Sequence, residues 1–96
     1  MHAVVRTYSG KGAKELFGVL EQRKADVEKV IRAVPGFHSY SLIHTADGGI
    51  SVTVCKDKAG ADESVRVAAN WVKQNAPGVG ASVPKVSEGA VILQLN

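Results

Sequence analysis

Two Pro-Gly pairs, Pro35-Gly36 and Pro77-Gly78, divide this chain, and each closes a stretch with a helical stripe. The residue before a proline avoids the α region, and a glycine accepts the left-handed conformation that ends a helix, so each pair reads as a helix stop. Upstream of the first, Ala13 to Val34 contains no proline. Leu16, Leu20, Val27, Val30, Ile31 and Val34 fall within about 100° of arc at 100° per residue, which predicts one amphipathic helix over 13–34. Upstream of the second, Ala61, Val65, Ala68, Ala69, Val72 and Ala76 share another stripe, and Asp57 is placed to N-cap it. Arg23 falls in the middle of the first stripe, where an apolar side chain belongs; a bend there, or a side chain reaching past the helix end, would accommodate it.

The segments between these helices have the other period. Residues 2–8 are short, rich in β-formers and followed by Ser9-Gly10; residues 37–45 and 50–55 flank Ala46-Asp47-Gly48-Gly49, a strong hairpin signal. Residues 86–95 read as a last strand with Val91-Ile92-Leu93-Gln94-Leu95 as its apolar part. The order β-α-β-β-α-β is the split βαβ, ferredoxin-like α+β pattern: a four-stranded antiparallel sheet with two helices on one face. Residues 1–96 are read as a single domain. No further element exists to cover the second face of the sheet, so a homodimer is expected.

Composition excludes several classes. One cysteine rules out a disulfide framework and a multi-cysteine metal cluster. No apolar run approaches a membrane span of about 18 residues, and Met1-His2-Ala3-Val4 lacks the order of a signal peptide, so a soluble, cytoplasmic chain with no membrane partner is expected. The net charge of +3 comes from basic residues scattered among acids without interleaved aromatics. That pattern predicts a solvated surface and no nucleic-acid partner. The third strand, Ile50 to Cys55, has no aromatic residue for base stacking, and no glycine-rich phosphate fingerprint follows the first strand.

Strand parity is more informative than motifs. A two-residue turn at Asp47-Gly48 pairs position 44 with 51, 42 with 53 and 40 with 55, and any even-numbered loop keeps that parity. His38, Tyr40, Leu42 and His44 therefore share a face with Ser51, Thr53 and Cys55. Phe37, Ser39, Ser41 and Ile43 share the other with Ile50, Val52 and Val54. The uninterrupted aliphatics of the second set assign it to the helix-packed core, together with Ala3 and Val5. The first set, joined by His2, Val4, Arg6 and Tyr8, is then expected on the face away from the helices.

That polar-aromatic face carries the candidate chemistry. Tyr8, Tyr40, His38 and His44 have the groups to bind and deprotonate a phenol, whose carbanion form can react with O₂ directly; they would equally serve as satisfied polar residues in a dimer interface. Arg6 could hold an anionic oxygen by bidentate hydrogen bonds, or form an interface ion pair with its stem over apolar surface. On this reading His38, Tyr40 and His44 are candidate catalytic residues, and Arg6, Tyr8, Thr53, Cys55 and Trp71 candidate substrate-binding residues. Trp71 lies about 120° from the centre of its helical stripe, which suits a pocket lining or ordinary flank packing. His38 and His44 would stand about 20 Å apart along an extended strand, so no metal site is expected. Cys55 has only Asp57 and a small buried setting around it, which does not make a nucleophile.

Pro35-Gly36-Phe37, the Asp-Gly hairpin, the strand ending Cys55-Lys56-Asp57, and the helix Gly60-Ala61-Asp62-Glu63-Ser64 with Ala68-Ala69-Asn70-Trp71-Val72 carry a resemblance. Over essentially the whole chain they resemble the antibiotic-biosynthesis-monooxygenase-like group of the dimeric α/β-barrel superfamily. The resemblance implies a homodimer with two sheets packed face to face and helices outside. Some members are cofactor-independent oxygenases acting on polycyclic phenols or quinols, and some degrade heme. Two departures bear on function. The family's third strand often ends Trp-x-Asp, where this chain has Cys55-Lys56-Asp57. Heme-degrading members pair a strand-one Asn with a Trp and a later His, yet strand one here has no Asn and no His follows Trp71. Asn70 and Trp71 are of the residue types found around oxygenase pockets. The expectation is a small-molecule-binding dimer for a small aromatic ligand, a cofactor-independent monooxygenase acting on a phenolic or quinol-like compound and needing no cofactor. The alternative is a non-catalytic, stress-associated or structural dimer.

Overall fold

The computed structural model describes residues 1–96. Seven elements follow in order: β1 (His2–Ser9), α1 (Ala13–Gln22), α2 (Lys24–Arg32), β2 (Phe37–Thr45), β3 (Gly48–Cys55), α3 (Lys58–Asn75) and β4 (Lys85–Ala90). The strands form one antiparallel sheet in the order β2-β3-β1-β4, and the helices lie on one of its faces. This is the ferredoxin-like arrangement expected from the element order. No helix is long and apolar enough to cross a membrane.

The expected long helix is two helices. Arg23 ends α1, donating its backbone N–H to Val19 O at 2.9 Å, and starts α2, its carbonyl accepting from Asp26 N at 3.0 Å and Val27 N at 3.1 Å. In an unbroken helix Arg23 would point into the core. At the break its guanidinium instead pairs with Asp26 (Nε and Nη2 to Oδ2, 2.9 and 2.8 Å) and lies over the Trp71 ring, 5.5 Å from its centroid. Asp57 caps α3 as expected, accepting from Gly60 N at 3.0 Å.

The hairpin turn lies one residue earlier than the sequence suggests. Thr45 pairs with Gly48, leaving Ala46-Asp47 as the loop, so Tyr40 faces Thr53, Leu42 faces Ser51 and His44 faces Gly49. Parity is unchanged. Gly48 and Gly49 serve packing as much as the turn: a Cβ at Gly48 would meet Ala13, and one at Gly49 would overlap the Phe17 ring. They form the floor on which α1 rests.

The assignment of the two faces is inverted. Val4, Arg6, Ser51, Thr53 and Cys55 are buried beneath the helices, with Tyr8, Tyr40 and Leu42 packed against the core. The aliphatic set looks outward: Val5, Ile50 and Val52 are half-buried and Ile43 is 46% exposed. An aliphatic row marks a face that is to be covered and carries no sign of which layer covers it. A bulge between Phe37 and Ser39 also turns His38 out of register, and it is exposed.

The helices bury Leu16, Phe17 and Leu20 of α1, Val27 and Ile31 of α2, and Trp71 of α3 in one cluster; Val4, Val34, Cys55 and Ala61 make a second. The last strand stops at Ala90, short of the expected apolar part. Ile92, Leu93 and Leu95 project from the end of the chain, 98%, 73% and 83% exposed.

Candidate functional site

Between the sheet and the helices lies a narrow cavity of about 20 Å³, room for a single water molecule. The sheet contributes Arg6 and Tyr8 from β1, Tyr40 and Leu42 from β2 and Ser51 from β3; α1, α2 and α3 contribute Phe17 and Leu20, Val27 and Ile31, and Ala68 and Trp71. Antiparallel pairing explains the convergence. Arg6 is directly opposite Ser51, and Ser51 opposite Leu42, so three adjacent strands present neighbouring side chains upward at one level.

Arg6 dominates the electrostatics. It is 3% exposed, and its Nε donates to Ser51 Oγ at 3.1 Å. The ion pairs of the chain lie elsewhere: His2–Glu88–Lys58, Glu21–His44, Arg23–Asp26, Glu28–Arg32, Lys58–Asp62 and Glu63–Arg66. A buried guanidinium without a carboxylate is costly, and the rest of this cavity is nearly all hydrophobic or aromatic. Beside it, burial pushes the Tyr40 phenol above its ordinary pKa, while the Arg6 charge and a hydrogen bond to Arg6 oppose the rise and Tyr8 adds to it. Tyr40 is therefore a neutral hydrogen-bonding phenol at physiological pH. Tyr8 is held edge-on to Phe17, ring centroids 5.4 Å apart at 61°.

Two surface grooves adjoin the cavity. One, of about 530 Å³, runs between α2 and β2 and shares Val27, Ile31, Tyr40 and Leu42 with it. The other, of about 280 Å³, shares Phe17, Leu20 and Leu42 and has His44, Glu21 and Lys24 on its rim. A few apolar side chains thus separate the buried guanidinium from two open clefts. Most of them stand on α1 and α2, which meet at Arg23.

Of the residues expected to form a site, the structure brings together Arg6, Tyr8, Tyr40 and Trp71. His44 stands at the mouth, 3.2 Å from Glu21 Oε1 and with its ring 6.1 Å from that of Phe17. His38 lies outside, because the bulge turns it to solvent. Thr53 is buried one pair further along the sheet, its hydroxyl without a hydrogen-bond partner, and does not line the cavity. Cys55 belongs to the second cluster and is fully buried; burial, and then Asp57, push its thiol pKa up, so it is an inert packing residue. No group of histidines, cysteines and carboxylates is placed to hold a metal ion. Ser51, the fixed partner of Arg6, was not singled out from sequence, although it shares the parity of Arg6. Of the separating residues, Leu20, Val27 and Ile31 carry only the core signal of the helical stripe, and Phe17 lies off that stripe.

No family model matches the chain, and no curated protein matches it by sequence. Solved structures do match. The heme-degrader MhuD from Mycobacterium tuberculosis, with two hemes bound in its active site, superposes with a TM-score of 0.70 at 17% identity, over 100% of each chain. A dimeric ferredoxin-like protein from an uncultured marine organism gives 0.62 at 13% identity, over 99% of this chain and 95% of that one. A monooxygenase from the gene ActVA-Orf6 of Streptomyces coelicolor, in complex with the ligand Nanaomycin D, gives 0.60 at 18%, over 97% and 91%. At such identities the likeness speaks for architecture and not for substrate. What these structures share with the chain is the fold, a ferredoxin-like α+β arrangement with one four-stranded antiparallel sheet.

Proposed function

We propose that this chain forms a homodimer in which each copy binds a small aromatic compound with an acidic hydroxyl in the cavity between sheet and helices, and oxygenates it without a cofactor. The observation that carries the reading is Arg6: a buried cation with no carboxylate, facing an aromatic cavity, is completed by a ligand that brings the negative charge. A phenolate or quinolate supplies both the charge and the flat apolar body. Arg6 stabilises the ionised oxygen, Tyr40 donates a hydrogen bond to it, and Tyr8 and Trp71 pack against the ring. Ionisation places carbanion character on the ring, which reacts with O₂ directly. When a ring CH₂ becomes a carbonyl, one oxygen atom enters the carbon, and the other leaves as water with both hydrogens. Substrate and O₂ then balance with no external reductant.

No histidine lines the cavity, so the proton leaves through the mouth, where His44 and Glu21 stand. Entry requires Val27 and Ile31 to move aside, and the helix break at Arg23 is where α2 can pivot. Heme degradation is not favoured, because no histidine follows Trp71 and the cavity holds none. The homodimer rests on the outward sheet face of Val5, Ile43, Ile50 and Val52, which no element of the chain covers. A second reading, a non-catalytic structural dimer, is favoured by one observation: the cavity as it stands has room for one water and no ligand-sized space.

The test is O₂ uptake across a panel of phenols and quinols with no metal, flavin or reductant added. The oxygenase reading expects uptake and oxidised product in equal amounts for at least one compound, both lost in Arg6→Met. Absence of uptake across the panel leaves the non-catalytic dimer.

A further inference from the structure

Around the cavity two cations lack a counter-charge. Of the lysines and arginines of the chain, Arg23, Arg32, Lys58 and Arg66 sit in ion pairs. Among the rest, Arg6 alone lines the cavity and Lys24 alone lines the two grooves that adjoin it. Lys24 is the first residue of α2 and is exposed, its ammonium carried on a flexible stem. The carboxylates nearest to it in sequence have other partners. Glu28, one helical turn on, accepts from Arg32 at 2.8 Å; Asp26 accepts from Arg23 at 2.8 Å; Glu21, across the helix break, stands 3.2 Å from His44.

The two cations lie at the two ends of one path. Leu42 lines the cavity and both grooves. It is two strands away from Arg6, with Ser51 between them on β3. Two inter-strand spacings are about 10 Å, the span of one aromatic ring with a short acidic side chain. The grooves differ in charge. The larger, between α2 and β2, has an apolar floor that includes Phe37, Tyr40 and Leu42. Its rim holds Lys24 and the Glu28–Arg32 pair, which leaves one positive charge over. Arg32 is also held over the Phe37 ring, 5.9 Å from its centroid. In the smaller groove Glu21 offsets Lys24, so it presents no net charge to an anion.

We infer that Lys24 is a specificity-determining residue, which selects ligands carrying a carboxylate at the end opposite the ionised hydroxyl. The substrate class is then a hydroxyaryl carboxylic acid, with its ionised oxygen at Arg6, its ring beside Leu42 and its carboxylate in the groove between α2 and β2. The inference rests on the ligand reading of the cavity given above and narrows it. A simple phenolate answers Arg6 and leaves Lys24 bare, whereas the dianion answers both. An exposed ion pair is weakened by water, so the carboxylate is expected to tighten binding by about twofold to fivefold.

The experiment follows quenching of Trp71 by two probes. One is the ortho-nitrophenol with an acetic acid side chain para to its hydroxyl, and the other is its methyl ester. The nitro group makes both phenols ionise near neutrality, so at mildly alkaline pH they differ only in the carboxylate. Wild type should bind the acid about twofold to fivefold tighter than the ester, and added salt should narrow the difference. Lys24→Gln should abolish the preference and leave ester binding unchanged, and Lys24→Glu should invert it. Position 24 is exposed at a helix N-terminus, where an acid is favourable, so the fold is retained. Lys29→Gln removes the same charge from the same helix but lines none of the three spaces, and should keep the preference. Equal binding of acid and ester by wild type, or a preference lost as fully in Lys29→Gln as in Lys24→Gln, overturns the role of Lys24 and leaves the aromatic-anion reading standing. Failure of both probes to quench saturably overturns the two together.

Discussion

Replacing Arg6 by methionine and Ser51 by alanine together should make the protein more stable, by about 1–3 kcal/mol, and less able to bind. Arg6 is 3% exposed and pairs with no carboxylate, and burying an ion costs several kcal/mol even after relaxation. Its bond to Ser51 returns about 1.5–3 kcal/mol as a charge-assisted hydrogen bond. Arg6→Met alone removes the charge but leaves the Ser51 hydroxyl, on a residue 1% exposed, without its partner. That orphan costs about 1–3 kcal/mol and brings the single variant close to neutral. Ser51→Ala alone strips the guanidinium Nε of its acceptor and destabilises. The double variant removes both liabilities. For a domain of this size each kcal/mol moves Tm by about 4–8 °C, so the gain is measurable. The assay is thermal and urea unfolding of all four proteins as a double-mutant cycle, at one protein concentration so that association does not shift the midpoint. A double variant less stable than wild type would mean that Arg6 is a structural strut, and the case for a missing anion would fall.

Three further outcomes follow from the packing and the charges. Gly49→Ala should destabilise by about 1–3 kcal/mol, because its Cβ overlaps the Phe17 ring, whereas Gly18→Ala, with open space around it, should stabilise by about 0.5–1 kcal/mol; chemical denaturation ranks the pair. Asp57→Ala removes the side-chain acceptor for Gly60 N–H and should cost about 1 kcal/mol in the same assay. Tyr40 has its pKa raised in the folded state by burial, so the fold favours the protonated phenol. Its contribution to stability is then complete below the ordinary tyrosine value and is lost as pH rises through the raised one. Alkaline difference spectra of wild type minus Tyr40→Phe should show a phenol ionising above the ordinary value, and one that ionises below it would contradict the burial.

Element order, hairpin parity and the Asp57 cap were legible in the sequence, because each depends on local chemistry: Pro-Gly stops, period-2 alternation and an acid before a helix. Parity places Arg6, Tyr8, Tyr40 and Ser51 on one face from the sequence alone. Which face the helices cover was not legible. Ile50, Val52 and Val54 look like core because they are uniformly aliphatic, and alternation has no sign that separates a helix layer from solvent or a second sheet. The face that does carry the helices is mixed because part of it lines a cavity. The helix break was signalled, since Arg23 interrupts an apolar stripe, but its outcome depends on Trp71 and Asp26, one of which is far along the chain. Val91–Leu95 has strand propensity without a neighbour, and propensity alone cannot form a ladder.

Trp71 is the only tryptophan and lines the cavity, so its fluorescence reports directly on whether the cavity takes a ligand. Titrating a simple phenol at a pH above its own pKa should quench Trp71 saturably, with one molecule bound per chain, and the quenching should be lost in Arg6→Met. Quenching that never saturates, or that persists unchanged in Arg6→Met, would contradict a cavity built around Arg6 to receive an aromatic anion.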